Sequence, residues 1–424
     1  MVFYLWKEKL MNKKQVLFIH QNFPGQFKSL APALSEMKNI EVQSLSLVDS
    51  PYDNINHYKY NIEGETSNNI HFLAQEFETK MLRAHGVALK CVEMKEKGYK
   101  PDLIVSHPGW GEIFLIKEIW PEVKLLSYFE FYYHSSGSDI DFDLDEKHHP
   151  SADNNLFFKL VARNAPTFMN YVQSDKLICP TNFQKNTAPN DFIDKINVIH
   201  DGIDTNLIKP QKNAKVSLGD KNKIDLTKDD KVITFINRNL EPYRGYHIFM
   251  RSLPAILEQH PDAYVIIVGG DKVSYGASPK DGNSYKNIYF NEVKDKIKDL
   301  SRVKFVGLVE YKTLLAILGI TTVHIYFTYP FVLSWSTLES MSMETLIVGS
   351  STEPVKEVIK HNKNGLLVDF FDVEGLSKTV IDVLNDPDKY EALKKEARKT
   401  IIKEYDLKKV CLPKQIKLVE SLLK

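Results

Sequence analysis

The fold of this chain can be predicted from the stretch FTYPFVLSWSTLESMSMETLIVGS, residues 327–350. An apolar run at 323–327 leads into it, a helical segment follows at 335–341, and a second apolar run closes it at 345–348. Buried strands alternating with helices are typical of a parallel sheet. The loop and the helix start then place backbone N–H groups at the carboxyl edge of the sheet, where they suit a phosphate or a sugar oxygen.

Glu339 lies one turn into the predicted helix. Its carboxylate is suited to accept hydrogen bonds from a diol such as a ribose. The competing interpretation is a carboxylate solvated on the helix surface, which is the ordinary environment of a glutamate. From this position alone, the solvated carboxylate is favoured.

Length and composition indicate two globular domains. The chain has 424 residues, 43% of them apolar and 26% charged, so each half is long enough to bury a core. The formal net charge is zero, which gives no electrostatic footprint for nucleic acid. Cys91, Cys179 and Cys411 lack metal-ligand spacing and predict reduced thiols of a cytoplasmic protein. The apolar run at the N-terminus is too short for a signal sequence or a membrane span.

The first half predicts a doubly wound parallel sheet. Strands are expected at 15–20, 42–47, 103–106, 124–128 and 176–179, with helices between them, notably at 74–97 and 155–172. The first strand runs into QNFPGQF, where Gly25 lets the backbone approach a ligand closely. Only one glycine is present, which argues against a dinucleotide fingerprint, and a plain strand-to-helix turn remains the alternative.

Two polar side chains follow neighbouring strands of this sheet. His107 ends the strand at 103–106 within HPGWGE, and Glu130 follows the strand at 124–128 within YFEFYYH. Ligands of open α/β sheets bind at these strand ends, so we expect both residues near a site and a perturbed pKa for Glu130. A purely structural histidine is the alternative for His107.

Four aspartates alternate in SDIDFDLDE: Asp139, Asp141, Asp143 and Asp145. Oxygen ligands in this spacing suit a divalent cation. The segment follows Ser-Ser-Gly and not a buried strand, and its four matches are interchangeable. A solvated acidic loop is therefore favoured over a metal site.

The second half repeats the alternation after a polar, lysine-rich segment at 211–230, which predicts a linker or a surface excursion. The strand KVITFIN, residues 231–237, leads to Arg238 and Arg244, which flank a turn that opens a helix. Two guanidinium groups beside a helix N-terminus can grip a phosphate with charge-assisted, bidentate bonds. Ordinary surface arginines are the alternative.

Further strands are expected at 263–270, which ends in glycines and is followed by Tyr275, and at 303–308, which contains Gly307 and Leu308. A last amphipathic helix is predicted over 407–423.

In order and spacing, these motifs resemble the retaining glycosyltransferases of family 4, which have the GT-B fold. The resemblance runs from about residue 14 to 405 and is carried by HQNFPGQF at 20–27, Thr181-Asn182, VIHDGID at 198–204, PFVLSW at 330–335 and NGLLV at 364–368. The family has two glutamates separated by seven residues. Glu339 matches the second, whereas Phe331 stands where the first normally contacts the transferred sugar.

The resemblance implies an α/β protein with two doubly wound Rossmann-like domains facing across a cleft. Residues 1–205 would form the acceptor-side domain, 206–405 the donor domain and 406–424 a helix crossing back to the first domain. The family has an arginine and a lysine on the donor diphosphate, so Arg238 matches and Arg244 replaces the lysine. With His107 and Glu130, these two form the implied catalytic group. The implied donor-binding residues are Gly25, Asn239, Gly270, Tyr275, Gly307, Leu308, Phe331, Val332, Leu333, Ser334, Thr337 and Glu339.

The implied activity is metal-independent transfer of a hexose, with retention, from a UDP- or GDP-linked sugar to a glycan or lipid-linked acceptor. No cofactor is implied besides that donor substrate. The expected setting is bacterial surface polysaccharide or glycoconjugate synthesis in the cytoplasm, with peripheral contact at the inner membrane face. Two alternatives stay open. One is a nucleotide-sugar binding protein with weak catalysis, which Phe331 favours, and the other is a GT-B sugar-nucleotide epimerase. A phosphorylase needs a pyridoxal-lysine site that the sequence does not offer.

Overall fold

The computed structural model describes residues 13–144, 146, 155–219, 223–279 and 282–424. The chain divides into two compact units. The first comprises Met1–Ser135, Asn154–Gly202 and Lys408–Lys424, and the second comprises Ser136–Asp153 and Ile203–Leu407.

The first unit is built on a seven-stranded parallel sheet with the order β3-β2-β1-β4-β5-β6-β7. Its strands are β1 Lys14–Ile19, β2 Ile40–Ser46, β3 Asn56–Lys59, β4 Leu103–Ser106, β5 Lys124–Tyr128, β6 Lys176–Cys179 and β7 Ile196–Val198. Its first six helices are α1 Leu30–Ser35, α2 Gln75–Glu96, α3 Ile116–Ile119, α4 Leu156–Gln173, α5 Asn182–Asn186 and α6 Asn190–Ile193.

Strand β1 shows why the strands of this sheet are continuous apolar runs in the sequence. Val16 and Phe18 face one core, whereas Leu17 and Ile19 face a second core on the other side of the sheet. All four side chains are fully buried. A central parallel strand covered on both faces needs apolar residues at every position, so its sequence loses the alternation of a half-exposed strand.

The second unit contains a six-stranded parallel sheet with the order β12-β11-β10-β13-β14-β15, preceded by the hairpin β8 Lys215–Leu218 and β9 Ile224–Thr227. The sheet strands are β10 Val232–Asn239, β11 Tyr264–Gly270, β12 Val303–Gly307, β13 Val323–Tyr326, β14 Leu346–Ser350 and β15 Leu366–Val368. The helices are α7 Tyr246–Gln259, α8 Tyr285–Val293, α9 Tyr311–Ile320, α10 Trp335–Ser342, α11 Glu353–Val358, α12 Val373–Asn385 and α13 Glu391–Thr400.

Each sheet has one position where the winding direction changes. In the first sheet this position lies between β1 and β4, and in the second it lies between β10 and β13. The carboxyl ends of the strands at such a position diverge from one another and leave a crevice for a ligand. The residues that follow these four strands are therefore the candidates for a ligand site.

The C-terminal segment belongs to the first unit. A π-helical stretch, Leu407–Cys411, leads into α14 Leu412–Leu422, so the last regular helix begins five residues later than the sequence predicts. Leu418, Val419 and Leu423 pack in the same core as Val16 and Phe18. None of the helices in the described ranges combines the length and the apolar character needed to cross a membrane.

The segment 211–230 is not the linker or surface excursion that its composition predicts. It contains the antiparallel hairpin of β8 and β9, with Val216 paired opposite Leu226. Val216, Leu218 and Leu226 are buried in the core of the second unit. Because the side chains of a strand alternate between two faces, two or three apolar residues suffice to anchor the hairpin although its other face, formed by Lys215, Ser217, Asp225 and Thr227, is polar.

The acidic segment is also not the solvated loop that was favoured. Asp139 is fully buried, and Asp143 and Glu146 are 5% and 8% exposed. Residues 136–146 group with the second unit although they follow strand β5 of the first. Their carboxylates meet tyrosine, histidine and arginine side chains, which a composition-based argument cannot anticipate. Asp145 lies outside the described residues.

Candidate functional site

Arg244 is a buried cation at the carboxyl edge of the second sheet. It ends a short 3-10 turn, Pro242–Arg244, and Gly245 then opens α7 with a left-handed φ of 67°. One guanidinium nitrogen, Nη1, donates to Thr328 Oγ1 and to the carbonyl of Val332, both at 2.8 Å, and to the hydroxyl of Tyr326 at 3.3 Å. These contacts fix the side chain between the end of β13 and the loop before α10.

The charge of Arg244 is secured by its neighbours. Burial lowers the pKa of this guanidinium, but the nearby Tyr326, Tyr275 and Glu241 outweigh burial and raise it. The guanidinium carbon also lies 4.9 Å from the centre of the Tyr275 ring, a cation–π distance. Arg244 is therefore a permanent positive charge in a site with little solvent.

Arg238 carries the same charge as Arg244 but differs from it in exposure and in hydrogen bonding. It lies near the end of β10 and is exposed. Among the residues that the structure describes, its guanidinium has no hydrogen-bond or ion-pair partner. An exposed arginine without an internal partner is available for an external anion, whereas Arg244 also holds the protein together.

The N-terminus of α10 presents fewer open amides than expected. The Ser334 N–H, which the sequence suggested as a ligand donor, donates instead to the hydroxyl of Tyr326 at 2.8 Å. The Ser334 hydroxyl caps the helix by accepting from the amide of Ser336. In the described part of the chain, the amides of Val332 and Leu333 donate to no acceptor, so the open donors lie in the loop just before the helix.

Glu339 is not a solvated carboxylate. The residue is 7% exposed on α10, and its Oε1 accepts a hydrogen bond from the hydroxyl of Tyr311 at 2.8 Å. Thr337, two residues earlier, is fully buried, and its hydroxyl has no partner within the described ranges. A buried carboxylate held by a half-exposed phenol suits a hydroxylated ligand better than it suits bulk water.

Glu241 is a residue that the sequence argument missed. Its buried carboxylate accepts hydrogen bonds from the amides of Ser274 and Tyr275 at 3.1–3.2 Å and from that of Gly276 at 3.5 Å. Burial raises the pKa of Glu241, and the three amides oppose that rise. Glu241 thus fixes the loop after β11 and, with it, the Tyr275 ring beside Arg244.

Phe331 lies in an aromatic group and not against a polar ligand group. It is 3% exposed, and its ring meets Tyr275 at a centroid distance of 5.0 Å and Tyr243 at 5.6 Å, both edge to face. These three residues are called the aromatic triad below. The position where the family has a glutamate is thus part of an apolar wall next to Arg244.

The other predicted donor-binding positions are distributed over the edge formed by β10, β11 and β12. Asn239 donates through Nδ2 to the hydroxyl of Ser274 at 2.7 Å. A Cβ on Gly270 would lie 2.7 Å from Asn239 Oδ1, so this strand end admits only glycine without a shift. Gly307 has a left-handed φ of 66° and open space around it, and Leu308 is 71% exposed.

In the first unit, His107 and Glu130 lie close to each other at the carboxyl edge of the sheet. His107 Nε2 lies 3.5 Å from Glu130 Oε2, and the imidazole is 1% exposed whereas the carboxylate is partly exposed. Because His107 Nδ1 accepts from the amide of Gly109, the neutral ring carries its proton on Nε2, facing Glu130. The ring stacks on Tyr128 at a centroid distance of 5.3 Å.

Gly25 follows β1 in the same unit and lies against His20. Its φ is 49°, and a Cβ there would lie 2.3 Å from His20 Nε2. His20 Nδ1 accepts from the amide of Asn22, and its Nε2 lies 2.9 Å from Gln26 Oε1. Burial, aided by nearby His107, lowers the pKa of His20 to about 4, so this ring is neutral at physiological pH.

Glu112 is the second carboxylate at this edge and is almost fully buried. Its Oε1 accepts from the amide of Gln21, and burial raises the pKa of the carboxyl group to about 7. Its Oε2 has no hydrogen-bond partner among the described residues. Such a group changes its protonation state near neutral pH.

Several residues at the two sheet edges described above could not be selected from the sequence: Tyr128, Glu241, Tyr243, Tyr311, Tyr326 and Thr328. Tyr326 lies inside an apolar run, and Glu241 stands beside the two predicted arginines without a motif of its own. The sequence signal was their position at strand ends, which many other polar residues share. The described residues contain no group of three or more metal-ligating side chains arranged to hold an ion.

Two family models match the chain, one in each half. A model of the glycosyl transferase family 4 group matches residues 38–208. A model of glycosyl transferases group 1 matches residues 219–400.

Known proteins resemble the chain in sequence over part of its length and in fold over nearly all of it. A glycosyltransferase of Methanocaldococcus jannaschii, MJ1607, described as uncharacterized, is 28% identical over 218 residues, 50% of each chain. The chain spans about half the length of the curated relatives it matches. Sucrose-phosphate synthase of Thermosynechococcus elongatus has a TM-score of 0.68 at 17% identity, with 97% of this chain and 99% of that one covered. HepE of Anabaena, solved with UDP and glucose, has a TM-score of 0.65 at 14% identity, with 96% and 100% covered.

The predicted fold class is confirmed by the two doubly wound sheets and by these structural neighbours. The fold is therefore that of the GT-B glycosyltransferases, and each half of the chain matches a glycosyltransferase family model.

Proposed function

We propose that this protein transfers a hexose from a nucleotide-diphosphate sugar to a glycan or lipid-linked acceptor, with retention of the anomeric configuration. The observation that carries the proposal is Arg244, a buried cation at the point where the winding of the second sheet reverses. It lies beside the open amides of Val332 and Leu333. Fixed donors of this kind stabilise the negative charge that develops on a leaving diphosphate.

In this proposal the second unit binds the donor. Arg244 and the exposed Arg238 balance the charge of the diphosphate, and no metal ion is assigned a part. Glu339, held by Tyr311, accepts from the ribose hydroxyls. Asn239, Gly270, Gly307 and Leu308 line the strand ends where the nucleotide would lie. A UDP-linked donor is favoured because HepE was solved with UDP, and a GDP-linked donor remains the second choice.

The first unit supplies the proposed acceptor side. His107, Glu130 and Gly25 lie at its carboxyl edge, where the partly exposed Glu130 carboxylate would meet the acceptor hydroxyl groups and the buried His107 Nε2 lies 3.5 Å behind it. The proposed setting is cytoplasmic synthesis of a bacterial surface polysaccharide or glycoconjugate, with peripheral contact at the inner membrane face. Vesicle co-sedimentation with anionic and with neutral lipids tests that contact.

The first test of the function is a thermal-shift screen against UDP-, GDP- and ADP-sugars, followed by an assay of nucleotide release. A ligand that binds only the folded protein raises the apparent stability by about 2.7 kcal/mol at a hundredfold excess over its Kd. The matching donor should therefore raise the Tm by several degrees and should release its nucleotide. If no donor in the panel shifts the Tm, the proposed function is wrong.

Replacing each arginine separates its chemical part from its structural part. Arg238→Ala should reduce turnover about 100-fold, yet change the unfolding free energy by less than about 0.5 kcal/mol. Arg244→Ala should reduce turnover and also destabilise the protein by about 2–4 kcal/mol, because two buried acceptors and one partly buried acceptor lose a charged donor. Arg302→Ala, an arginine just before the amino end of β12, is the control. Near-wild-type turnover of Arg238→Ala would reject its role.

A nucleotide-sugar binding protein with weak or no catalysis is the second candidate, and Phe331 in its apolar wall favours it. This candidate predicts a Tm shift without release of nucleotide. An epimerase predicts conversion of the donor sugar in the absence of any acceptor. Product analysis by NMR distinguishes transfer, epimerisation and simple binding.

A further inference from the structure

The acidic segment, residues 136–144 with Glu146, has no part in the function proposed above and is called the acidic strap below. The chain leaves the first unit after Ser135, and the strap packs within the second unit. Asp141 shapes its beginning by accepting hydrogen bonds from the amides of Gly137 and Ser138, at 2.9 and 3.3 Å.

Asp139 is the most deeply buried carboxylate of the strap, with no exposed surface. Its Oδ2 accepts from the hydroxyl of Tyr243 at 2.8 Å, and its Oδ1 accepts from the hydroxyl of Ser138 at 3.0 Å. Burying an ionised carboxylate costs several kcal/mol unless hydrogen bonds compensate it. The Tyr243 hydroxyl is therefore a partner that the folded strap requires.

The other two described carboxylates of the strap contact further side chains of the second unit. Asp143 accepts from the Tyr329 hydroxyl at 2.6 Å and lies 3.0 Å from His247 Nε2. Glu146 accepts from the Tyr289 hydroxyl at 3.1 Å and pairs with Arg251 at 3.0 Å. Each carboxylate meets its own tyrosine, so the alternating acids act as separate anchors.

The Asp139 anchor leads to the candidate donor residues through the Tyr243 hydroxyl, whereas Asp143 reaches the same Tyr243 ring one step further away, through Tyr329 at a centroid distance of 4.8 Å. Tyr243 immediately precedes Arg244, and its ring meets Phe331 edge to face at 5.6 Å and lies 6.1 Å from Tyr275. The guanidinium of Arg244 lies over Tyr275. The orientation of the Tyr243 ring therefore determines how Phe331 and Tyr275 pack, and the Tyr275 ring in turn positions the guanidinium of Arg244.

We propose that Asp139 is a positioning residue of the donor site. Through the hydroxyl of Tyr243 it fixes the aromatic triad and thereby holds Arg244 where the donor diphosphate binds. This inference rests on the proposed function, because it assigns Asp139 an effect on nucleotide affinity. Position 331, where the family has a glutamate, is a phenylalanine in the aromatic triad. The carboxylate next to the triad is that of Asp139, which accepts from the Tyr243 hydroxyl.

The test is calorimetric titration with UDP of the wild-type protein and five variants. Asp139→Ala and Tyr243→Phe should each weaken UDP binding about tenfold, because each removes the same hydrogen bond to a charged group. The double variant should show a loss close to that of either single variant, since the two substitutions share one interaction. Asp139→Asn keeps an acceptor of the same size and should recover much of the affinity.

Glu146→Ala is the matched control on the same strap. It removes a buried anchor and should lower the Tm comparably, yet leave the Kd for UDP within twofold of wild type. Equal UDP affinities of wild type, Asp139→Ala and Tyr243→Phe would overturn the positioning role. Equal losses of affinity in Asp139→Ala and Glu146→Ala would also overturn it, since the strap would then act only through stability. If Asp139→Ala does not fold, Tyr243→Phe alone decides.

The two proposals fail in different ways. If wild-type protein binds no nucleotide or nucleotide sugar, the proposed function is wrong and the positioning role falls with it. If wild type binds UDP and the Asp139 and Tyr243 variants bind it equally well, only the positioning role is wrong.

Discussion

Burial has different effects on the charged side chains of the candidate site. Arg244 and Arg238 have the same side chain, but one is enclosed by three acceptors and the other faces solvent. Enclosure also has a large consequence for Glu112, because burial raises its pKa to about 7 and one of its oxygens has no partner in the described chain. Folding therefore favours the protonated form of this residue.

The stability of the protein should depend on pH through Glu112. The carboxyl group titrates at its ordinary 4.5 in the unfolded chain and at about 7 in the folded one. Its favourable contribution is thus complete below pH 4.5 and is lost as the pH rises through 7, by on the order of 3 kcal/mol. Glu112→Gln cannot ionise, so its stability relative to wild type should increase by about that amount between pH 4.5 and 8.

Urea unfolding of wild type and Glu112→Gln at several pH values measures this difference. Glu118→Gln, an exposed glutamate on the neighbouring helix α3, is the control and should show no such trend. A stability difference for Glu112→Gln that stays constant from pH 4.5 to 8 would show that Glu112 has an ordinary pKa in the folded protein.

At the scale of elements, the Tyr326 hydroxyl links the end of β13 to the start of α10 and to the turn before α7. The Tyr326 hydroxyl accepts from the Ser334 amide at the helix start and from Arg244 before α7. A strand end, a helix N-terminus and a cation are thereby fixed by a single group inside the protein. Other hydrogen bonds of the loop between β13 and α10 hold it to neighbouring elements, for example the Thr328 amide to the Ser350 hydroxyl and the Tyr329 amide to the Tyr243 carbonyl.

Tyr326→Phe removes that group with little change of shape. The variant should lose about 1–3 kcal/mol of unfolding free energy, because the buried Ser334 amide and one Arg244 contact lose their acceptor. Its affinity for a nucleotide sugar should fall as well, since Arg244 is then less firmly held. Denaturant unfolding and thermal shift with the donor measure the two effects. Tyr390→Phe, whose hydroxyl has no partner in the described ranges, should match wild type in both.

At the scale of the whole chain, the last helix stabilises a unit far from it in sequence. Val419 on α14 is fully buried among residues of β1 and β4, such as Val16, Phe18 and Leu103. The first unit therefore lacks part of its core until α14 has been made. Contacts between residues this far apart in the sequence cannot be predicted from a local sequence pattern.

Val419→Ala should destabilise the first unit by about 1–3 kcal/mol through loss of buried apolar volume. Hydrogen exchange followed by mass spectrometry should show weaker protection of β1 and β4 and unchanged protection of β10 and β13. Lys417→Ala, at an exposed position on the same helix, is the control. Equal loss of protection in β10 would mean that the helix does not act on the first unit alone.

The sequence by itself determined the alternation of strands and helices. Strands β4, β5 and β6 have the predicted bounds, because a parallel strand buried on both faces is a continuous apolar run that needs no context. The turn residues also followed from local chemistry, since a left-handed φ such as that of Gly25 favours glycine wherever it occurs. The same local signals placed Arg238, Arg244, His107 and Glu130 at strand ends.

Only the tertiary structure decided what the polar residues do. The acidic strap has the composition of a solvated loop, and 211–230 has that of a linker, yet both are anchored in the second unit. Glu339 is enclosed although its helix position suggested solvent. The physical reason is that the environment of a charge depends on partners distant in sequence, such as Tyr243 for Asp139 and Tyr311 for Glu339, whereas the period of apolar residues is set by the local backbone geometry.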